Sequence, residues 1–133
     1  MRNWIRPLFI VAGLYDGSLG LVFLFFGSQI FQAYGVTPPN HWGYVQFPAL
    51  LLVVFAIMFF RIAADPVRNR ELIWYGVGLK LAYCGTVFYY QVVTGIPPMW
   101  IPWAWADFAF LLVFLIAWKS LAAAPATENV VRP

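Results

Sequence analysis

Only 10% of the 133 residues are charged, while 63% are hydrophobic and 20% aromatic. Soluble domains carry about 25% charged residues and about 45–50% apolar ones, and a short chain has a large surface to cover with polar groups. Eight basic and five acidic residues cannot cover it, and one cysteine, Cys84, makes no internal disulfide; a soluble enzyme, a disordered chain, a collagen-like repeat and a disulfide scaffold are excluded, and an integral membrane protein is left.

The predicted fold class is an all-α membrane protein, a four-transmembrane-helix bundle forming one domain over residues 1–121. A span needs about 20 mostly apolar residues to cross a hydrocarbon core roughly 30 Å thick. The first is predicted over 7–27. Arg2 and Arg6 before it imitate a secretory signal. The apolar run is about 20 residues long, holds Asp16 and lacks a small-x-small cleavage site, so it reads as a retained helix. Gly35-Val36-Thr37-Pro38-Pro39-Asn40 then breaks the helical pattern. The second span is predicted over 43–62. A polar segment with Arg61, Asp65, Arg68, Arg70 and Glu71 follows, in which Asp65-Pro66 reads as an N-cap and a first helical proline. The third span is predicted over 72–93, the break Gly95-Ile96-Pro97-Pro98 comes next, and the fourth span is predicted over 101–119. Residues 122–133 read as a disordered cytoplasmic tail.

The charges set the orientation. Residues 17–60 and 91–106 carry none, and every Lys or Arg except Lys80 lies at the N-terminus, between spans two and three, or near the C-terminus. Four spans put those segments on one side, and the positive-inside rule places both termini in the cytoplasm. Basic clusters this small, flanking apolar runs, are topology signals, and no nucleic-acid partner is expected.

The outer loops are aromatic and proline-rich. His41 and Trp42 on one, with Trp100 and Trp103 at the other, form an interfacial belt or, on a sharper reading, a shallow site for a lipid or quinone headgroup. The loops also echo each other: Gly35-Val36-Thr37-Pro38-Pro39-Asn40-His41-Trp42 against Gly95-Ile96-Pro97-Pro98-Met99-Trp100, each followed by a polar residue and phenylalanine, Gln46-Phe47 and Asp107-Phe108. Two repeated helical hairpins would account for this. So would chance, since Pro-Pro and Trp are favoured at membrane exits.

Three ionisable residues remain inside the spans: Asp16, Lys80 and Asp107. At 1.5 Å per residue they lie roughly 14, 12 and 17 Å from the cytoplasmic ends of their helices, near one depth. Each would cost about 2.5–3.5 kcal/mol facing lipid, roughly 8–10 kcal/mol together, so they are expected to converge inside the bundle with Lys80 bridging the carboxylates. Gly13, Gly17, Gly20 and Gly27 share the Asp16 arc and would let another helix come close. Gly76, Lys80, Tyr83, Cys84, Val87 and Gln91 follow the i, i+3, i+4 spacing of one stripe, and Trp100, Trp103, Phe114 and Trp118 share the Asp107 face. Two carboxylates against one ammonium leave one excess negative charge, which a retained proton would neutralise. The cluster is either interhelical glue, at about 0.6–2 kcal/mol per contact, or a ligand or proton site.

One histidine rules out bis-histidine haem ligation within the chain, and no Cys/His/carboxylate set has the spacing of a metal site. Tyr89, Tyr90 and Gln91 are candidates to hydrogen-bond a quinone carbonyl, or simply belt residues. Four spans in this length with both termini inside, and the opening helix Arg6-Pro7-Leu8…Gly13-Leu14…Gly20-Leu21-Val22-Phe23-Leu24-Phe25-Phe26-Gly27, resemble the DoxX-like small bacterial membrane proteins. The resemblance implies a bacterial inner-membrane bundle, with some members serving quinone-linked sulfur oxidation and others acting as assembly factors. It carries no site residue over. Three functions follow as expectations: an accessory or structural subunit of a larger membrane complex, without catalytic activity alone; a quinone-linked redox subunit; or an oligomeric proton or small-solute carrier. The first is preferred. Its partners would be the lipid bilayer and other membrane subunits or further copies of the chain, and the cofactor expected, if any, is a quinone or lipid.

Overall fold

A computed structural model describes residues 3–122. It contains four helices, α1 (Ile5–Ala33), α2 (Gly43–Ala64), α3 (Ile73–Val93) and α4 (Ile101–Ala122), with single tight turns at Arg70–Leu72 and Pro98–Trp100 and no strand among the described residues. Ile5–Ala33, Gly43–Ala64 and Pro98–Ala122 are each long and apolar enough to cross a membrane, which makes this a helical integral membrane protein. The helix α3 is less apolar, because Lys80, Gln91 and its tyrosines dilute it.

The predicted boundaries need three corrections. First, α1 does not stop at 27. It continues through a kink at Phe26 (φ −126°, ψ 22°) to Ala33, since Ser28, Gln29 and Gln32 can leave the apolar layer without leaving the helix. It ends where Gly35 takes φ +65°, with Gly35 N–H donating to the Gln32 carbonyl and Val36 N–H to that of Phe31. Such a paired closure favours glycine because other residues are strained there. Second, Asp65-Pro66 opens no helix. Asp65 Oδ1 accepts from the Arg68 N–H at 3.2 Å and its carbonyl from the Asn69 N–H at 3.0 Å, closing one turn, and α3 begins only at Ile73. Third, Ala122 belongs to α4, and the rest of the tail predicted over 122–133 lies outside the described residues.

The helices pack as two antiparallel hairpins, α1 along α2 and α3 along α4, whose backbones stay apart from each other. We call the end near Ile5 and Ala122 the base and the opposite end the rim. Small residues close the first hairpin. A Cβ on Gly20 would lie 2.6 Å from the Ala49 carbonyl oxygen, and one on Gly17 3.3 Å from the Ala56 Cβ. The glycine arc that carries Asp16 is therefore the face turned toward α2. On Gly13 the obstacle would be the Phe60 ring, at 2.5 Å, which is partly exposed and free to swing. Gly20→Ala should thus destabilise by about 1–3 kcal/mol, the range for forced overpacking, and Gly13→Ala by clearly less. Thermal unfolding in mild detergent checks this; equal losses would refute the backbone contact as the cause.

Between the hairpins the gap is filled by rings. Phe9 stacks on Phe114 at 4.8 Å, and Phe59 meets Phe114 at 5.2 Å, in the base half. In the rim half Phe31 packs on Trp42 at 5.3 Å and on Trp100 at 5.8 Å, and Phe23 on Trp100 at 5.7 Å. Aromatic pairs add about 0.5–1.5 kcal/mol each beyond their burial. At the base, polar side chains close helix ends: Arg6 donates to the Ala64 carbonyl at 3.3 Å, Asn69 to that of Arg61 at 2.8 Å, and Arg70 to that of Trp118 at 3.0 Å. Cations suit carbonyl-rich helix C-termini, so Arg6 and Arg70 help to finish α2 and α4.

Candidate functional site: a buried ion cluster under a cavity

Asp16 from α1, Lys80 from α3 and Asp107 from α4 meet between the two columns of rings. Lys80 Nζ donates to Asp16 Oδ1 at 2.8 Å and Oδ2 at 2.9 Å, and to Asp107 Oδ1 at 3.1 Å. These contacts match the three N–H donors of an ammonium. Side-chain exposure is 0% for Lys80, 1% for Asp16 and 10% for Asp107. The cluster is asymmetric: Asp16 is doubly bonded and the more deeply buried, and Asp107 is singly bonded and the more exposed. Lys80 joins a carboxylate of the first hairpin to one of its own, and so couples the two.

Rings surround the ammonium. Nζ lies 5.0 Å from the Phe110 ring centroid, 5.2 Å from that of Tyr15 and 5.7 Å from that of Phe59. Ring faces attract a cation within about 6 Å, so the rings add to the two carboxylates in holding the fully buried Lys80 side chain. The sequence reading missed these three. Phe110 follows Asp107 by one helical turn and was within reach of a spacing argument; Tyr15 and Phe59 were not, since one neighbours Asp16 in the chain and the other lies on the all-apolar α2. The Tyr15 hydroxyl is buried without a hydrogen-bond partner among the described residues.

Above the cluster, toward the rim, lies a cavity of about 350 Å³. All four helices line it: Asp16 and Phe23 from α1, Tyr44, Pro48, Ala49, Leu51 and Leu52 from α2, Leu79 and Tyr83 from α3, and Trp103 and Asp107 from α4. Its floor is the pair of carboxylates and its walls are otherwise nearly all apolar. Tyr44, Pro48 and Leu51 are exposed, so the mouth lies on the α2 side, where α2 and α3 barely touch. A second, shallower apolar crevice of about 590 Å³ runs along α1 from Val11 to Tyr34 and meets neither carboxylate.

The remaining predicted residues divide. Trp100 and Trp103 line the cavity, and Tyr83 does too while its hydroxyl donates to the Trp100 carbonyl at 2.8 Å. That bond ties α3 to the turn that opens α4. Cys84 is buried one helical turn from Lys80 in the hydrophobic core. Gln91 does not join the stripe. It is exposed, as are Tyr89 and Tyr90, because α3 has by then run past the packed part of the bundle and the amide turns to the polar surroundings. His41 is exposed, and its Nδ1 accepts from the Gly43 N–H at 2.9 Å, which satisfies an open donor at the start of α2. Trp42 precedes α2 and packs edge-on against Phe31.

No family model, curated protein or solved structure matches the chain.

Proposed function

We propose that this protein is a small, non-catalytic subunit of a bacterial inner membrane that binds an apolar-bodied ligand in its rim cavity. The cavity itself carries this reading: a space of about 350 Å³ within the range of small-molecule sites, mostly apolar, with a few convergent polar groups at one end. In this reading the Asp16–Lys80–Asp107 cluster has two tasks, joining the hairpins and forming the polar floor.

The chain crosses the bilayer four times in this proposal. At 21 residues α3 is about 31 Å long, and it runs between two helices that are apolar enough to cross. Arg6, Arg61, Arg68, Arg70 and Lys119 lie at the base, and the rim loops have no charge, which supports a cytoplasmic base. The two hairpins also share local structure. Gly35 and Gly95 both take positive φ, +65° and +85°, and a tryptophan stands just before each following helix, which favours duplication. A DoxX-like protein is one form such a subunit takes, and would put a quinone in the cavity.

Native mass spectrometry of the protein purified in mild detergent tests the proposal. Wild type is expected to carry a small molecule at about equimolar ratio and to co-purify with larger membrane subunits or further copies of itself. Leu79→Trp, which fills the cavity wall, should lose the small molecule and keep the partners. Wild type free of both ligand and partner would sink the reading.

A further inference from the structure

The charge balance at the cavity floor indicates which ligand fits, on the premise that this cavity is the ligand site. We propose that it takes a monovalent organic cation, with the positive group against Asp107 and the apolar body among Phe23, Trp100 and Trp103.

The floor holds two carboxylates and one ammonium. Lys80 spends its donors on three oxygens, both of Asp16 and Oδ1 of Asp107. Oδ2 of Asp107 takes no hydrogen bond among the described residues, although the side chain is nine-tenths buried and lines the cavity. The one unmatched negative charge therefore stands where the empty space is. A neutral ligand would strip water from this carboxylate and leave it unpaired, and an anion would be repelled. A divalent metal ion would want six or more oxygen ligands, and the walls supply hydrocarbon and rings instead. An organic cation satisfies both halves of the site, its charge by Asp107 and its body by rings whose faces attract cations. The lateral mouth beside α2 admits such a molecule from the bilayer, where lipophilic cations accumulate.

The titratable groups that line the cavity are Asp16 on α1, Tyr44 on α2, Tyr83 on α3 and Asp107 on α4; Tyr15 and Lys80 pack at the cluster itself and Cys84 in the core beside it. Of these only the two aspartates supply negative charge at neutral pH.

Two probes of one shape separate charge from fit: benzyltrimethylammonium and its neutral isostere neopentylbenzene. Each is titrated against the purified protein by tryptophan fluorescence, and only binding that Leu79→Trp abolishes is counted. The cation is expected to bind at least about tenfold tighter than the isostere. Asp107→Asn should erase the preference while still binding the isostere, which shows that the variant is folded. Equal affinity for the two probes, or a preference that survives in Asp107→Asn, overturns the cation assignment and leaves the ligand cavity standing. Binding of neither probe removes both.

Discussion

Lys80→Met is expected to prevent the protein from accumulating in folded form. Methionine fits the space and the rings around it, so the change removes charge and hydrogen bonds with little loss of packing. What remains is Asp16 and Asp107, both within reach of the lost ammonium, with no cation between them. Removing one partner of a buried pair typically destabilises by about 3–5 kcal/mol, and here two carboxylates are stranded. Total stabilities are only about 5–15 kcal/mol. The loss falls on the seam between the hairpins, where backbones stay apart and the connection is made by core side chains and this cluster. Each hairpin should therefore keep its helices while the bundle opens, giving near-normal helical circular dichroism with early elution or aggregation on size exclusion. Neutralising the carboxylates in the same chain, as Asp16→Asn and Asp107→Asn, should restore much of the lost yield. A Lys80→Met protein as stable as wild type would show that the cluster contributes nothing to the joint.

The meeting of Asp16, Lys80 and Asp107 was legible in the sequence because lipid is an intolerant solvent for charge. Three internal charges at one depth on three helices have few arrangements that avoid it. The helices themselves were legible for the same reason, since apolar length is close to a sufficient signal in a membrane. Boundaries were less so. Ser28, Gln29 and Gln32 are compatible with helix and with interface alike, and no rule of hydropathy says that α1 continues past Gly27 to place Phe31 against Trp100. The cavity was not legible at all. It exists because the hairpins are held apart by large rings, and a gap is a property of what fails to fill space across helices distant in sequence. Gln91 illustrates the opposite error: stripe spacing places a residue on a face, but not at a level where that face is still covered.

The two aspartates should respond differently to the same substitution. In Asp16→Asn, one of the two short bonds from Lys80 is lost, the other falls on a neutral amide oxygen, and the new amide nitrogen is almost wholly buried beside an ammonium that cannot accept from it. Hydrogen bonds to charged groups are worth about 1.5–3 kcal/mol, and a buried unsatisfied donor costs about 1–3 kcal/mol, so a loss of about 3–4 kcal/mol is expected. In Asp107→Asn, the doubly bonded Lys80–Asp16 pair survives, one 3.1 Å contact is weakened, and the amide can turn its nitrogen toward the cavity. The same change removes the uncompensated charge, so the variant should match wild type within about 1 kcal/mol or exceed it. Unfolding curves of both variants in one mild detergent measure the gap directly. A residue that can be neutralised without loss of stability is held for something other than stability, which fits the common conflict between a binding site and the scaffold that carries it. If Asp107→Asn falls as far as Asp16→Asn, Asp107 is a structural partner of Lys80, and the cluster is a joint with no charge left over for a ligand.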